Sequence, residues 1–295
     1  MQKIIVSLIL FTGIAGLWDA GLLAGSDDGM ISSQVISLDG SDWMLATDPA
    51  NVGRQQQWWK SVQQGAKPTR VPWIIQDAFP AYYGVAWYWK EFTVPTNPHP
   101  EGRYLLRFWM VDYLAEVWVN DKAVGGHEGG EGVFVLDITE AVKPGQSNWL
   151  AVRVLNPTNE PIDGIALRQT PARCKVIPFR AGALYNDGGI VDSVDLLVAP
   201  AVRMEDLWAQ PDWQTGKIKV QATVCNAGKK TVQGMLTFTV APAMSGDTLN
   251  VSSLVKELPA GQSVIEAELK VANPRLWELN DPYLYRVTAT VQAHK

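Results

Sequence analysis

Residues 103–139 read RYLLRFWMVDYLAEVWVNDKAVGGHEGGEGVFVLDIT, and this stretch decides the fold class. Its two runs Arg103–Met110 and Ala115–Val119 are rich in β-branched and aromatic residues, and apolar and polar residues alternate in the second run. A period of two is typical of a β-strand with one face on a core. Asn120 and Asp121 tolerate the positive φ of a tight turn, so the pattern predicts strands joined by a hairpin turn.

Strand patterns continue on both sides of this stretch. Gly84–Pro95 and Trp149–Asn156 predict further strands, and the polar residues 51–67 predict a loop or short helix across a sandwich surface. Beyond Pro200, close turn signals predict an antiparallel sandwich with the strands Arg203–Gln210, Lys217–Cys225, Gly234–Ala241, Ser263–Leu269 and Leu284–Val291. No helical period extends beyond a few residues after the leader, so we expect an all-β chain.

Composition and charge exclude several classes of function. The net charge is −5 and the Lys and Arg residues are scattered, so we expect no nucleic-acid partner. The three histidines, His99, His127 and His294, lie too far apart in sequence to indicate a metal site, and no cofactor motif is present. Cys174 and Cys225 fall in different predicted domains, so no disulfide within a domain is expected.

The amino terminus has the features of an export signal. Lys3 is followed by an apolar run over residues 4–17, which fits a secretory signal peptide and is short for a membrane span. The alternative is a buried amino-terminal strand or helix. We therefore predict a signal peptide and lead-in over residues 1–25, a secreted or periplasmic location, and no membrane span after signal removal.

Several motifs together resemble glycoside hydrolase family 2, the β-galactosidase, β-glucuronidase and β-mannosidase group. The matching segments are Val117–Asn120, His127–Gly130, Gly84–Pro95, Gly188–Ile190 and Pro274–Trp277. The sequence departs from the family pattern at three places. Asp121 stands where Gly is usual, and Trp89 stands where a basic residue is common. Val191 and Asp192 follow Ile190, where the family usually has an aromatic residue and then Arg.

The resemblance implies an architecture and a function. The implied architecture is a jelly-roll (galactose-binding-like) β-sandwich over residues 26–200, followed by an immunoglobulin-like β-sandwich over residues 201–295. In this family both catalytic glutamates lie on a third domain, a barrel of alternating strands and helices, and such alternation is not seen in these 295 residues. We therefore expect the non-catalytic amino-terminal part of a secreted family 2 β-glycosidase, with carbohydrate and a family 2 catalytic barrel domain as partners, and we assign no catalytic residues. The alternatives are a stand-alone exported carbohydrate-binding or adhesion protein without catalysis, and a truncated gene product without function.

Candidate sugar-binding residues follow from the chemistry of sugars. Sugar sites combine an aromatic platform with polar side chains at its rim, and Trp58 and Trp59 have such a polar setting. The resemblance further implies that the loop before the Gly-Gly-Ile segment reaches the barrel mouth, which makes Arg180, Asn186 and Asp187 candidates. The alternative interpretations are a tight turn for the loop and core packing for the tryptophans. His127 and Glu128 are interpreted as residues that stabilise their own glycine-rich loop.

Overall fold

A computed structural model of the chain describes residues 33–170 and 186–294. The predicted signal peptide over residues 1–25, Arg180 and Cys174 lie outside the described residues. Within the two described ranges, no helix has the length and apolar character needed to span a membrane.

Short strands dominate both described ranges, which confirms the all-β prediction. Among the residues that the structure describes, the α-helix is the single turn α1 (Ile75–Ala78), and two 3-10 helices cover Trp58–Lys60 and Leu167–Gln169. The strands are β1 (Gln34–Ser37), β2 (Gly40–Thr47), β3 (Lys67–Val71), β4 (Trp73–Ile74), β5 (Gly84–Thr93), β6 (Arg103–Phe108), β7 (Val111–Asp112), β8 (Leu114–Val119), β9 (Lys122–Glu128), β10 (Phe134–Asp137), β11 (Ser147–Asn156), β12 (Gly189–Ile190), β13 (Val194–Ala199), β14 (Val202–Pro211), β15 (Lys217–Asn226), β16 (Val232–Pro242), β17 (Asn250–Leu258), β18 (Gly261–Lys270) and β19 (Tyr285–His294).

The first compact unit comprises residues 34–98, 103–170 and 186–198 of the described chain. Its six-stranded sheet has the order β3-β2-β5-β11-β8-β9, and its four-stranded sheet has the order β1-β13-β6-β10. Buried side chains from both sheets, among them Trp43, Leu106 and Val152, form one core. The predicted hairpin is present: β8 pairs with β9 in antiparallel register, and Asn120 adopts a φ of 53° in the turn between them.

The six-stranded sheet carries apolar side chains on both faces. In β5, Ala86 and Tyr88 belong to the core shared with the four-stranded sheet, whereas Val85, Trp87 and Trp89 belong to a separate apolar cluster. Successive side chains of a strand point to opposite faces, so this second cluster lies on the outer face. Burial on both faces explains why β5 reads as a nearly continuous apolar run.

The second compact unit comprises residues 199–294 together with His99–Gly102. It has two three-stranded sheets, in the orders β14-β15-β18 and β17-β16-β19, whose inner faces form one core. The alternation predicted for β15 is present, because Ile218, Val220, Ala222 and Val224 are buried and the residues between them are not.

Strand β17 was not predicted from the sequence. Only Leu258 of this strand is buried, and Val251 and Val255 are exposed. The strand therefore lacks the strong apolar alternation that identifies a half-buried strand. Pairing with β16 along its length specifies it instead.

Candidate functional site

Close backbone packing fixes the segment around Gly188 and Gly189. The strand β12 pairs with β4 on one side and β7 on the other, and the Ile75 backbone N–H donates to the Gly188 carbonyl at 2.8 Å. A Cβ atom on Gly188 would lie 2.5 Å from Asn156 Cγ, and one on Gly189 would lie 2.8 Å from the Trp73 carbonyl oxygen. Only glycine fits such contacts without displacing its neighbours. Asn186 and Asp187, which directly precede this segment, are therefore joined to a closely packed backbone.

Asn186 is tied to the end of β11. Its side-chain amide donates to the Pro157 carbonyl at 2.5 Å, and its own carbonyl accepts a hydrogen bond of 2.8 Å from the buried Asn156 amide. These bonds give Asn186 an anchoring role. Its contact with sugar remains a prediction, and the two hydrogen bonds show that Asn186 also stabilises this segment.

Asp187 differs from its neighbour. The residue is half-buried, and burial raises the pKa of its carboxyl group. Within residues 33–170 and 186–294, no hydrogen bond or ion pair holds this carboxyl group. A carboxylate beside a closely packed glycine segment, whose acceptor sites have no partner among the described residues, has suitable chemistry to bind ligand hydroxyls.

Trp58 and Trp59 lie elsewhere, in the loop that crosses the outer face of the six-stranded sheet. The Trp59 ring stacks on Trp118 with centroids 5.4 Å apart and planes 4° apart, and Trp58 packs against Trp87 at 6.4 Å. Their backbone carbonyls accept hydrogen bonds from the indole groups of Trp89 and Trp149. Both side chains are half-buried and pack against the outer apolar cluster. Their predicted sugar contact remains a prediction.

The same outer face carries a network of charged side chains around the buried Arg153, which was not predicted from the sequence. The Arg153 side chain is fully buried, and its guanidinium lies 2.6 Å from Glu116 Oε2, 2.6 Å from Asp163 Oδ2 and 2.7 Å from Asn51 Oδ1. Arg54 lies 2.5 Å from Asp163 Oδ2 and completes the network. The one signal in the sequence is an arginine in the otherwise apolar centre of Trp149–Asn156.

Opposing effects act on the Asp163 carboxyl group. Burial by itself raises its pKa, but the hydrogen bond from Asn51 and the two guanidinium groups outweigh burial, so the pKa lies below its usual value. Asp163 is therefore held as a carboxylate between Arg153 and Arg54. The network connects the segments around Asn51 and Asp163 to strands β8 and β11.

The glycine-rich loop after β9 is stabilised by its own residues and close neighbours. The His127 ring stacks on Phe134 with centroids 4.7 Å apart, and the Tyr113 hydroxyl donates to Glu128 Oε1 at 3.1 Å. Partial burial, and next the carboxylate of Glu128, raise the pKa of Tyr113. Both His127 and Glu128 thus have structural partners beside the loop.

Comparisons with known proteins match both compact units. The family model described as "Glycosyl hydrolases family 2, sugar binding domain" matches residues 69–200, and the model described as "Glycosyl hydrolases family 2" matches residues 202–295. The β-galactosidase of Thermoanaerobacter pseudethanolicus is 29% identical over 214 residues, which cover 72% of this chain and 26% of that protein. The β-glucuronidase of Bacteroides fragilis is 29% identical over 237 residues, which cover 76% of this chain and 31% of that protein.

Solved structures show the same likeness. A β-glucuronidase from Ruminococcus gnavus, solved in complex with a C6-substituted uronic isofagomine, aligns with a TM-score of 0.66 and 25% identity. The alignment covers 87% of this chain and 42% of that chain. The chain thus spans well under half the length of the relatives that it matches.

Proposed function

Because the chain belongs to glycosyl hydrolases family 2 and comprises its amino-terminal sugar-binding and immunoglobulin-like domains, we propose that it forms part of a β-glycosidase that hydrolyses O-glycosyl bonds. The order of the two matched domains carries this proposal, since relatives named β-galactosidase and β-glucuronidase contain the same part within a longer protein. The 295 residues provide the non-catalytic part of this assembly, and its partner is a family 2 catalytic barrel domain.

We propose that the contribution of this chain to sugar binding lies at Asp187. The residue is half-buried, its carboxyl group has no partner in the described part of the chain, and the glycines beside it fix its position. A carboxylate accepts hydrogen bonds from sugar hydroxyl groups, and Arg180 in the same loop would add a planar donor. Asn186 supports this site through its bonds to Pro157 and Asn156.

The Asp187→Ala substitution tests the site. We expect it to raise the KM for a nitrophenyl β-glycoside by roughly 5- to 150-fold, because a hydrogen bond to a charged group contributes about 1–3 kcal/mol. The measurement uses a chimera in which this chain replaces the matching part of the Bacteroides fragilis β-glucuronidase. Asp121→Ala, at the exposed hairpin turn, is the matched control and should leave KM unchanged.

Two outcomes would contradict the proposal. An unchanged KM together with a lower melting temperature in Asp187→Ala would show that the loop is a structural turn. A chimera that folds but hydrolyses no substrate, when the parent enzyme is active in the same assay, would show that this chain cannot work together with a catalytic domain of the family.

We also propose that the protein is exported to the periplasm or the exterior. Lys3 and the apolar run over residues 4–17 support this location. Recovery of the whole protein from the cytosolic fraction, with Met1 still present, would contradict it.

A further inference from the structure

The outer face of the sheet β14-β15-β18 in the second unit has an ordered arrangement of polar side chains. Leu207, Ile218 and Ile265 point into the core of this unit, so the residues next to them point outward. Trp208 of β14 is one of these outward residues and is 49% exposed. The strand register determines which side chains lie beside it.

Two neighbouring rows cross the three strands. In the first row Trp208 pairs with Gln221 and Gln221 pairs with Glu266. In the second row Gln210 pairs with Lys219 and Lys219 pairs with Glu268. Directly opposite residues have Cβ atoms about 4.5–5.5 Å apart and diagonal ones about 7–8 Å, so the Gln221 amide borders Trp208 and the Lys219 ammonium group lies diagonally next to it.

The side chains of the second row line a shallow cleft. Its volume is about 250 Å³, and it is lined by Gln210, Pro211, Asp212, Lys217, Lys219 and Glu268. Trp213, in the turn that follows β14, is 64% exposed. An aromatic surface is therefore available on the strand before the cleft and again in the turn after it.

We propose that this face is a second carbohydrate-binding surface, which takes a neutral polysaccharide chain across Trp208 and the cleft. An indole face packs against the apolar face of a sugar ring, while amide and carboxylate groups beside it exchange hydrogen bonds with the ring hydroxyls. Gln221 lies opposite Trp208 in its row, and Asp206 and Gln210 flank it along its strand. Protein-docking surfaces are instead marked by contiguous apolar patches.

The net negative charge of this face favours neutral polysaccharides over anionic ones. Four acidic residues, Asp206, Asp212, Glu266 and Glu268, outnumber the three basic residues Lys217, Lys219 and Lys270. Lys217 Nζ is already paired with Glu268 Oε1 at 3.1 Å. An anionic glycan would therefore meet a face with a small excess of negative charge. This surface is independent of Asp187, so it extends the proposed function and does not rest on it.

Affinity gel electrophoresis of the 295-residue chain tests the proposal. The probes are barley β-glucan, wheat arabinoxylan and potato galactan, with polygalacturonate as the anionic comparison. We expect at least one neutral polysaccharide to retard the protein, and Trp208→Ala to weaken that binding about tenfold or more, as expected when a central aromatic contact is lost. Gln221→Ala should weaken it less, because it removes hydrogen bonds and leaves the aromatic platform.

A matched control separates this surface from other exposed aromatic residues. Trp277→Ala removes a tryptophan that is 56% exposed in the loop between β18 and β19. This variant should bind as the wild type does, and Trp208→Ala should keep the wild-type melting temperature. Absence of retardation by all three neutral probes, binding of polygalacturonate alone, or equal binding by wild type and Trp208→Ala would overturn the proposal.

Discussion

The Arg153→Ala substitution is expected to lower the free energy of unfolding by about 3–5 kcal/mol, because it removes the buried cation at the centre of a network of charges. The Arg153 side chain is fully buried, and the side chains of its partners Glu116 and Asp163 are less than a third exposed. Without the guanidinium, both carboxylates and the Asn51 amide oxygen lose a donor that water cannot fully replace. Urea unfolding followed by tryptophan fluorescence measures the loss.

Arg168→Ala is the matched control for this experiment. Arg168 is exposed at the end of the short 3-10 helix, so its removal should change the free energy of unfolding by less than about 0.5 kcal/mol. A loss below about 1 kcal/mol for Arg153→Ala would contradict the assignment, because exposed ion pairs contribute no more than that.

Gly189→Ala should have the second largest effect. Gly189 adopts a φ of 142°, which disfavours any side chain, and an added Cβ would lie 2.8 Å from both the Trp73 carbonyl oxygen and the Tyr88 hydroxyl. Backbone strain and overpacking each cost about 1–3 kcal/mol, so we expect a loss of about 2–6 kcal/mol in the free energy of unfolding. The same urea experiment measures it.

Gly246→Ala serves as its control, since a Cβ added there meets no atom within 4 Å. We expect its effect to stay within about 0.5 kcal/mol. Wild-type stability in Gly189→Ala would show that β12 is not held between β4 and β7 as tightly as these contacts require.

The sequence predicts the strands wherever burial on one face is regular. β8 and β15 alternate apolar and polar residues, and both are present close to the predicted bounds. β17 lacks this signal, because its pairing with β16 and not its burial holds it in place. The wide apolar run of β5 also predicts a strand, but it does not reveal that a second apolar cluster covers the outer face.

The candidate site is only partly readable from the sequence. The resemblance of Gly188–Ile190 to a family motif pointed to Asn186 and Asp187 together, whereas the structure gives Asn186 hydrogen-bond partners and leaves the Asp187 carboxyl group without one in the described residues. The Arg153 network joins segments separated by up to 112 residues, so no local pattern could predict its members.

The central claim is that these 295 residues form the sugar-binding and immunoglobulin-like part of a β-glycosidase and not its catalytic part. The most direct test is the rate of nitrophenol release from nitrophenyl β-galactoside and nitrophenyl β-glucuronide by the purified chain. We predict no rate above the buffer background for either substrate, because family 2 glutamates act on a third domain. Turnover that disappears in a Glu128→Gln variant would contradict the claim and place the chemistry within the first sandwich.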